Sequence, residues 1–248
     1  MRIVSQEKKK IISVLGLPHS GTTVVCNIFN SMNNAFCISE PHWILLSKPK
    51  DLRFDKIGSL SNSNNVNQIM DSVLEKLFNS KYDFGGVKET FRPTRPEITD
   101  FLNRVVNKSD ILVFVIRDPK AHYNSLKATT AGTNRNPIPI DRITNDTIKL
   151  EEKINQIDKN KRIILKIEDL CNAGNRGAIN YINNRSNGII DIRGDFVLNP
   201  TNYIYGNHLA NRSNKIKGPN MSTKLLTQQD IKYIDKEIMP IYNRIAKL

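Results

Sequence analysis

The sequence has 248 residues, 39% of them hydrophobic, with 37 Lys and Arg against 24 Asp and Glu, a formal net charge of +13. A chain of that length and composition can bury a full core and falls outside the disordered, collagen-like and disulfide-scaffold classes. Cys26, Cys37 and Cys171 follow no paired pattern and read as small buried side chains, and no stretch reaches the roughly 20 apolar residues that cross a bilayer.

Lys8–Lys10 reads as a solvated flank, and the opening MRIVSQEKKK has no small-residue cleavage site, so a soluble, cytoplasmic protein without a secretory signal is expected. Residues 11–17, IISVLGL, are an apolar run ending in Gly and Pro, which predicts a buried strand. Val24, Val25, Ile28 and Phe29 then recur at helical spacing within 22–32, so the chain opens as strand, loop, helix. A short strand over 36–39 precedes a Ser- and Asn-rich loop or insertion over 48–67 and an amphipathic helix over 67–80. A strand over 84–88 and a helix over 96–107, with Pro in its first turn, come next.

Residues 110–117, DILVFVIR, are the most apolar run and predict a central parallel strand. Asp118 and Pro119 open a helix over 120–128, a polar segment covers 129–139, and a helix is expected over 145–160. A strand over 162–167 and a closing helix over 230–247 complete the pattern. Alternating strands and helices predict a single α/β domain over 1–248: a parallel sheet flanked by helices, of the P-loop nucleotide-binding type.

The loop Gly16-Leu17-Pro18-His19-Ser20-Gly21-Thr22-Thr23 has the spacing of a phosphate-binding loop and lies between a buried strand and a helix N-terminus. Glycines let the backbone wrap an anion, free amides point inward, and the helix dipole adds positive potential. Thr22 stands where the nucleotide-triphosphatase version has its Lys, which counts against hydrolysis of ATP or GTP. The charge excess points to an anionic partner. With no dense basic helix and no interleaved aromatics, a nucleic acid is not expected.

GLPHSGTTVVCNIF, followed by ISEPHW, resembles the 5′-phosphosulfate loop of sulfotransferases that use 3′-phosphoadenosine 5′-phosphosulfate (PAPS), closest in pattern to the carbohydrate type. Glu40-Pro41 matches the Glu-Pro pair many of them carry downstream. Arg117, with Ser125 eight residues later, resembles the family's 3′-phosphate motif. Two weaker matches are Lys166-Ile167-Glu168-Asp169-Leu170 and the Tyr205-Gly206-Asn207-His208 stretch with Arg212. The family's basic residue before the loop Ser is His19 here, which can give one hydrogen bond when neutral and a charge when protonated.

The resemblance implies sulfuryl transfer from PAPS, a co-substrate, to a hydroxyl of a carbohydrate or other small molecule, with no metal. His19, Ser20, Gly21, Thr22 and Thr23 would hold the phosphosulfate; Arg117 and Ser125, with Arg212, would hold the nucleotide's other end. Glu40 is implied as general base and Lys88 as a stabiliser of charge on the leaving phosphate, with His19 at the same centre. The residues themselves also allow Glu89 as the base. His42, His122 and His208 lack metal-site spacing and read as surface or packing residues. Trp43 suits either an acceptor pocket or the core, and Glu168 and Asp169 read as caps of the helix after a strand. A small-molecule kinase on the same loop, or a PAPS-binding protein without turnover, is the alternative. Segments 46–67 and 129–139 carry no code for the acceptor.

Overall fold

The computed structural model describes residues 2–4, 9–42, 52–54, 58–60, 65–80, 82–93, 96–131, 133, 136, 138–193, 216, 218 and 220–248. In chain order come β1 (Arg2–Val4), β2 (Lys10–Gly16), α1 (Thr22–Asn30), β3 (Ala35–Ser39), β4 (Leu52–Phe54) and β5 (Gly58–Leu60). They are followed by α2 (Val66–Phe78), β6 (Phe84–Thr90), α3 (Pro96–Lys108), β7 (Ile111–Ile116) and α4 (Pro119–Thr130). The second half holds α5 (Ile140–Asn155), β8 (Arg162–Lys166), α6 (Ile167–Ser186), β9 (Asp191–Arg193), α7 (Gln228–Tyr233) and α8 (Met239–Ala246).

Five strands pair in the order β3-β6-β2-β7-β8, all parallel, so β2 is central and β7 lies inside the sheet. Alternation along the strands divides the core between two faces. Ile11 and Leu15 of β2 and Leu112, Phe114 and Ile116 of β7 face α2, α3, α5 and α8. Ile12, Val14, Ile111, Val113 and Val115 face α1 and α6 instead. Burial on both sides explains why β7 reads as an unbroken apolar run. From β2 the chain first builds outward to β3 and β6, then crosses to β7 and β8 on the other side. The carboxyl end of β2 is therefore the switch point of the sheet, where open α/β sheets form a ligand crevice.

Side chains bond backbone groups on both edge strands. On β3, the buried Asn30 of α1 accepts the Cys37 N–H at 2.7 Å and donates its amide to the Cys37 carbonyl at 3.0 Å, as a neighbouring strand would. On β8, Arg185 of α6 donates to the Ile164 carbonyl at 3.0 Å, and Tyr181 accepts the Lys166 N–H at 2.9 Å. Each of these bonds takes an edge donor or acceptor that could otherwise template pairing with another chain.

The structure departs from the sequence reading in four places. The segment expected as a loop contains the antiparallel pair β4–β5, and β1 pairs antiparallel with β9, 189 residues apart at Ile3 and Ile192. Helix α5 begins and ends five residues before the 145–160 expected for it, because Pro139 caps its start while Asp158 accepts the Asn160 N–H at 2.8 Å and turns the chain after its end. The closing helix starts at Gln228 under a Thr227–Asp230 capping box and passes through a π turn, Ile234–Ile238. Pro240 has no N–H to continue the ordinary ladder, and the Met239 N–H reaches back to the Ile234 carbonyl. Among the described residues no helix is long and apolar enough to cross a membrane.

Asn30→Leu keeps the side-chain volume but leaves the Cys37 N–H without its acceptor. It should lower the unfolding free energy by roughly 1–3 kcal/mol. A lower denaturant midpoint at unchanged slope is the expected reading.

Candidate functional site

The loop after β2 is a tight wrap. The Ser20 N–H bonds the Leu17 carbonyl at 3.0 Å, and the Val24 N–H bonds the Gly21 carbonyl at 2.9 Å. His19 and Gly21 take left-handed backbone conformations, φ 67° and 95°. Side chains could not replace either loop glycine: a Cβ at Gly16 would lie 2.5 Å from the Ser20 hydroxyl and the Val115 carbonyl, and one at Gly21 2.5 Å from Ile167. Gly21 is the N-cap of α1, so no side chain caps that helix and no acidic residue sits in its first turn. Its first amides keep their hydrogen-bonding capacity, with the positive end of the dipole behind them. The Ser20 hydroxyl is buried and has no hydrogen-bond partner among the described residues.

Arg117 follows β7 and closes on this loop, donating from Nη1 to the His19 carbonyl at 3.0 Å and from Nη2 to the Asn220 carbonyl at 2.7 Å. Burial pulls its proton affinity down, opposed by the nearby Glu168 carboxylate. Ser125, two turns into α4, brings its hydroxyl within 3.5 Å of His19 Nδ1. Asp118 caps α4 by accepting the Lys120 and Ala121 N–H groups at 2.9 and 3.0 Å. Its own N–H donates to Glu168 Oε1 at 2.8 Å. Glu168 therefore caps the chain just past β7, and burial raises its pKa. Asp169 forms an ion pair with Lys166 at 3.2 Å.

A second cluster stands at the same carboxyl edge. Glu40 lies just past β3 with φ 51°, and its N–H donates to the Lys88 carbonyl at 2.7 Å. Lys88, only 2% exposed, donates its ammonium to the Glu40 carboxylate. The next residue on β6, Glu89, is wholly buried. It accepts the His42 backbone N–H at 3.0 Å and pairs with His42 Nδ1. The strand register joins the clusters, setting Gly16 opposite Thr90 and Ser39 opposite Lys88.

The structure thus gathers His19, Ser20, Gly21, Thr22, Thr23, Arg117 and Ser125 around one loop, and Glu40 with Lys88 beside it. Arg212, residues 205–208 and Trp43 lie outside the described residues.

No family model matches the sequence, and no curated protein matches it. Among solved structures, the "Sulfotransferase Domain from the Curacin Biosynthetic Pathway" matches over 98% of this chain and 98% of its own, with a TM-score of 0.54 and 14% identity. The chain has the fold of a sulfotransferase domain.

Within that fold, His42 and His122, read from sequence as surface or packing residues, are both buried, with partners the sequence did not reveal. His42 is a buried partner of Glu89. His122 is buried under the loop and donates Nε2–H to the Pro18 carbonyl at 2.6 Å. The pairings span 47 and 104 residues, and no local spacing signals them.

Burial lowers the His122 pKa from 6.5 to about 4. The unfolded chain takes up that proton near pH 6.5 and the folded one only near pH 4, so the unfolded state binds more protons between those values. Stability therefore falls as the pH drops through this window, by about 3 kcal/mol in all. His122→Gln, which keeps an N–H for Pro18, should flatten that dependence. Denaturant unfolding of both proteins from pH 7 to 4 checks it.

Proposed function

We propose that the protein is a sulfotransferase moving the sulfuryl group of PAPS to a hydroxyl of a small-molecule acceptor, with carbohydrates the first class to test. The observation that carries this reading is the convergence, at the switch point of a sulfotransferase-type sheet, of an uncapped anion-binding loop with Arg117 and Ser125 from a separate strand end. PAPS has two anionic centres, a 5′-phosphosulfate and a 3′-phosphate, and the site has two matching sets of donors. The amides of residues 21–23 and the Ser20 hydroxyl, which has no partner among the described residues, suit the first. The guanidinium fork of Arg117 and the Ser125 hydroxyl suit the second. The proposal takes the whole chain, 1–248, as one domain.

In the proposed reaction the acceptor oxygen attacks sulfur in line. The new O–S bond forms as the bond from sulfur to the 5′-phosphate oxygen breaks, and 3′,5′-phosphoadenosine (PAP) leaves with the electron pair. Glu40 takes the acceptor proton, and Lys88 holds the Glu40 carboxylate while its ammonium stabilises charge on the departing oxygen. His19 contributes a hydrogen bond to the sulfuryl or 5′-phosphate oxygens.

Four outcomes test this. Arg117→Ala should weaken PAP binding roughly 10- to 100-fold by calorimetry, from the loss of a charge-assisted pair. Adenosine 5′-phosphosulfate, which lacks the 3′-phosphate, should bind the wild type with a comparable deficit; equal affinity for the two would overturn the assignment. Glu40→Gln should leave PAP affinity unchanged and cut turnover by roughly 10²–10⁴ on an acceptor found by screening. Magnesium-dependent release of phosphate from ATP at enzymatic rates would replace this reading with a kinase-type one.

A further inference from the structure

The buried Glu89 carboxylate spends both oxygens on a single residue. Oε1 accepts the His42 backbone N–H at 3.0 Å, and Oε2 pairs with the His42 ring at Nδ1. Neither side chain is exposed at all. A carboxylate placed so deep is tolerated only when paired and hydrogen-bonded, so this contact is a built feature of the fold. With no exposure, Glu89 has no room to receive a proton from an acceptor hydroxyl.

His42 is two residues beyond Glu40, and Glu40 holds a backbone conformation that a side chain with a Cβ adopts at a cost: φ is 51°. Strained residues of this kind persist when their surroundings over-determine them. Here two consecutive residues of β6 do so at four points. The Lys88 carbonyl takes the Glu40 N–H, the Lys88 ammonium takes the Glu40 carboxylate, and the two Glu89 oxygens take the His42 amide and ring. Lys88 fixes where Glu40 starts, and Glu89 fixes where the turn ends. Pro41, with its restricted φ, links the two.

We propose that Glu89, acting through His42, is the positioning residue that holds the left-handed turn of Glu40 and so aims its carboxylate. The inference rests on the reading of Glu40 as the base. Released from Glu89, the turn can relax toward ordinary φ, and Glu40 then swings away from Lys88. A general base displaced by about an ångström can lose roughly 100-fold in rate without any change in nucleotide binding.

The test compares Glu89→Leu, which removes both acceptors, with Glu89→Gln, which keeps a carbonyl for the His42 N–H and offers an amide to Nδ1. His42→Leu breaks the ring contact from the other side and carries the test if Glu89→Leu does not fold. Amide hydrogen exchange of Glu40 and His42 reads the turn, with Val14 and Val113 in the sheet as internal references. Calorimetry with PAP reads the nucleotide site, and turnover at saturating PAPS reads the chemistry.

In the leucine variants the Glu40 and His42 amides should exchange about tenfold faster while the references hold. Turnover should fall roughly 10- to 100-fold, with PAP affinity and the KM for PAPS unchanged. Glu89→Gln should recover most of both losses. The proposal is overturned if Glu89→Leu and His42→Leu leave exchange and turnover as in the wild type. It is equally overturned if Glu89→Gln keeps normal exchange but is inactive, which would make Glu89 itself the base. If the wild type neither binds PAP nor sulfates any acceptor, the sulfotransferase reading fails, and the exchange contrast still decides whether Glu89 holds the turn.

Discussion

Strand β2 is hydrogen-bonded on both sides, to β6 at Leu15–Glu89 and to β7 at Leu15–Phe114, and this double pairing sets the position of everything at the carboxyl edge. Three strand ends are brought into line by it, and each feeds a different part of the site. Gly16 leads into the anion-binding loop, Lys88 and Glu89 stand just before Thr90 at the end of β6, and Arg117 follows β7. A slip of one residue in the β2–β6 pairing would turn Lys88 and Glu89 onto exchanged faces. The apolar side chains of β2, packed on both faces, make such a slip expensive, because each misplaced core residue forfeits about 1.5–3 kcal/mol of burial.

Against that frame, the burial of charge is uneven. Exposed pairs such as Arg193–Asp191 and Lys236–Glu237 sit where solvent screens them and contribute little to stability. The deeply placed groups, Lys88 with Glu40 and Glu89 with His42, gather at the end of β6, and Arg117 with Glu168 lies across the loop. Pairs held that deep cost desolvation that their attraction only partly repays. They do fix geometry. A Glu at positive φ and an Arg tied to the carbonyl of a left-handed His19 are conformations that isolated segments would not keep. The same reasoning explains why Gly16 and Gly21 are glycines: Val115 and Ile167 press on the loop from behind and leave no space for a Cβ.

Local pattern carried far in this chain. Apolar runs with β-branched residues marked β2, β7 and β8, since strands buried on both faces are largely apolar. Gly spacing between strand and helix marked the loop, because only glycine permits that wrap. The Arg117 and Ser125 spacing placed both residues on one junction. The sequence by itself therefore determined the α/β class, the parallel sheet and the residues that meet at the loop. What tertiary structure alone decided has the packing of separate elements on one another as its common cause. Asn30 closing the edge at Cys37 depends on how α1 lies across β3. Pairing of β1 with β9 joins three-residue segments too short for any periodicity to show. The pairing of Glu89 with His42, and of Glu168 with the Asp118 amide, depends on which carboxylate the sheet register buries against which turn. A carboxylate in a sequence reads the same whether it will be solvated, catalytic or locked on a buried amide; only packing removes the water that makes these different.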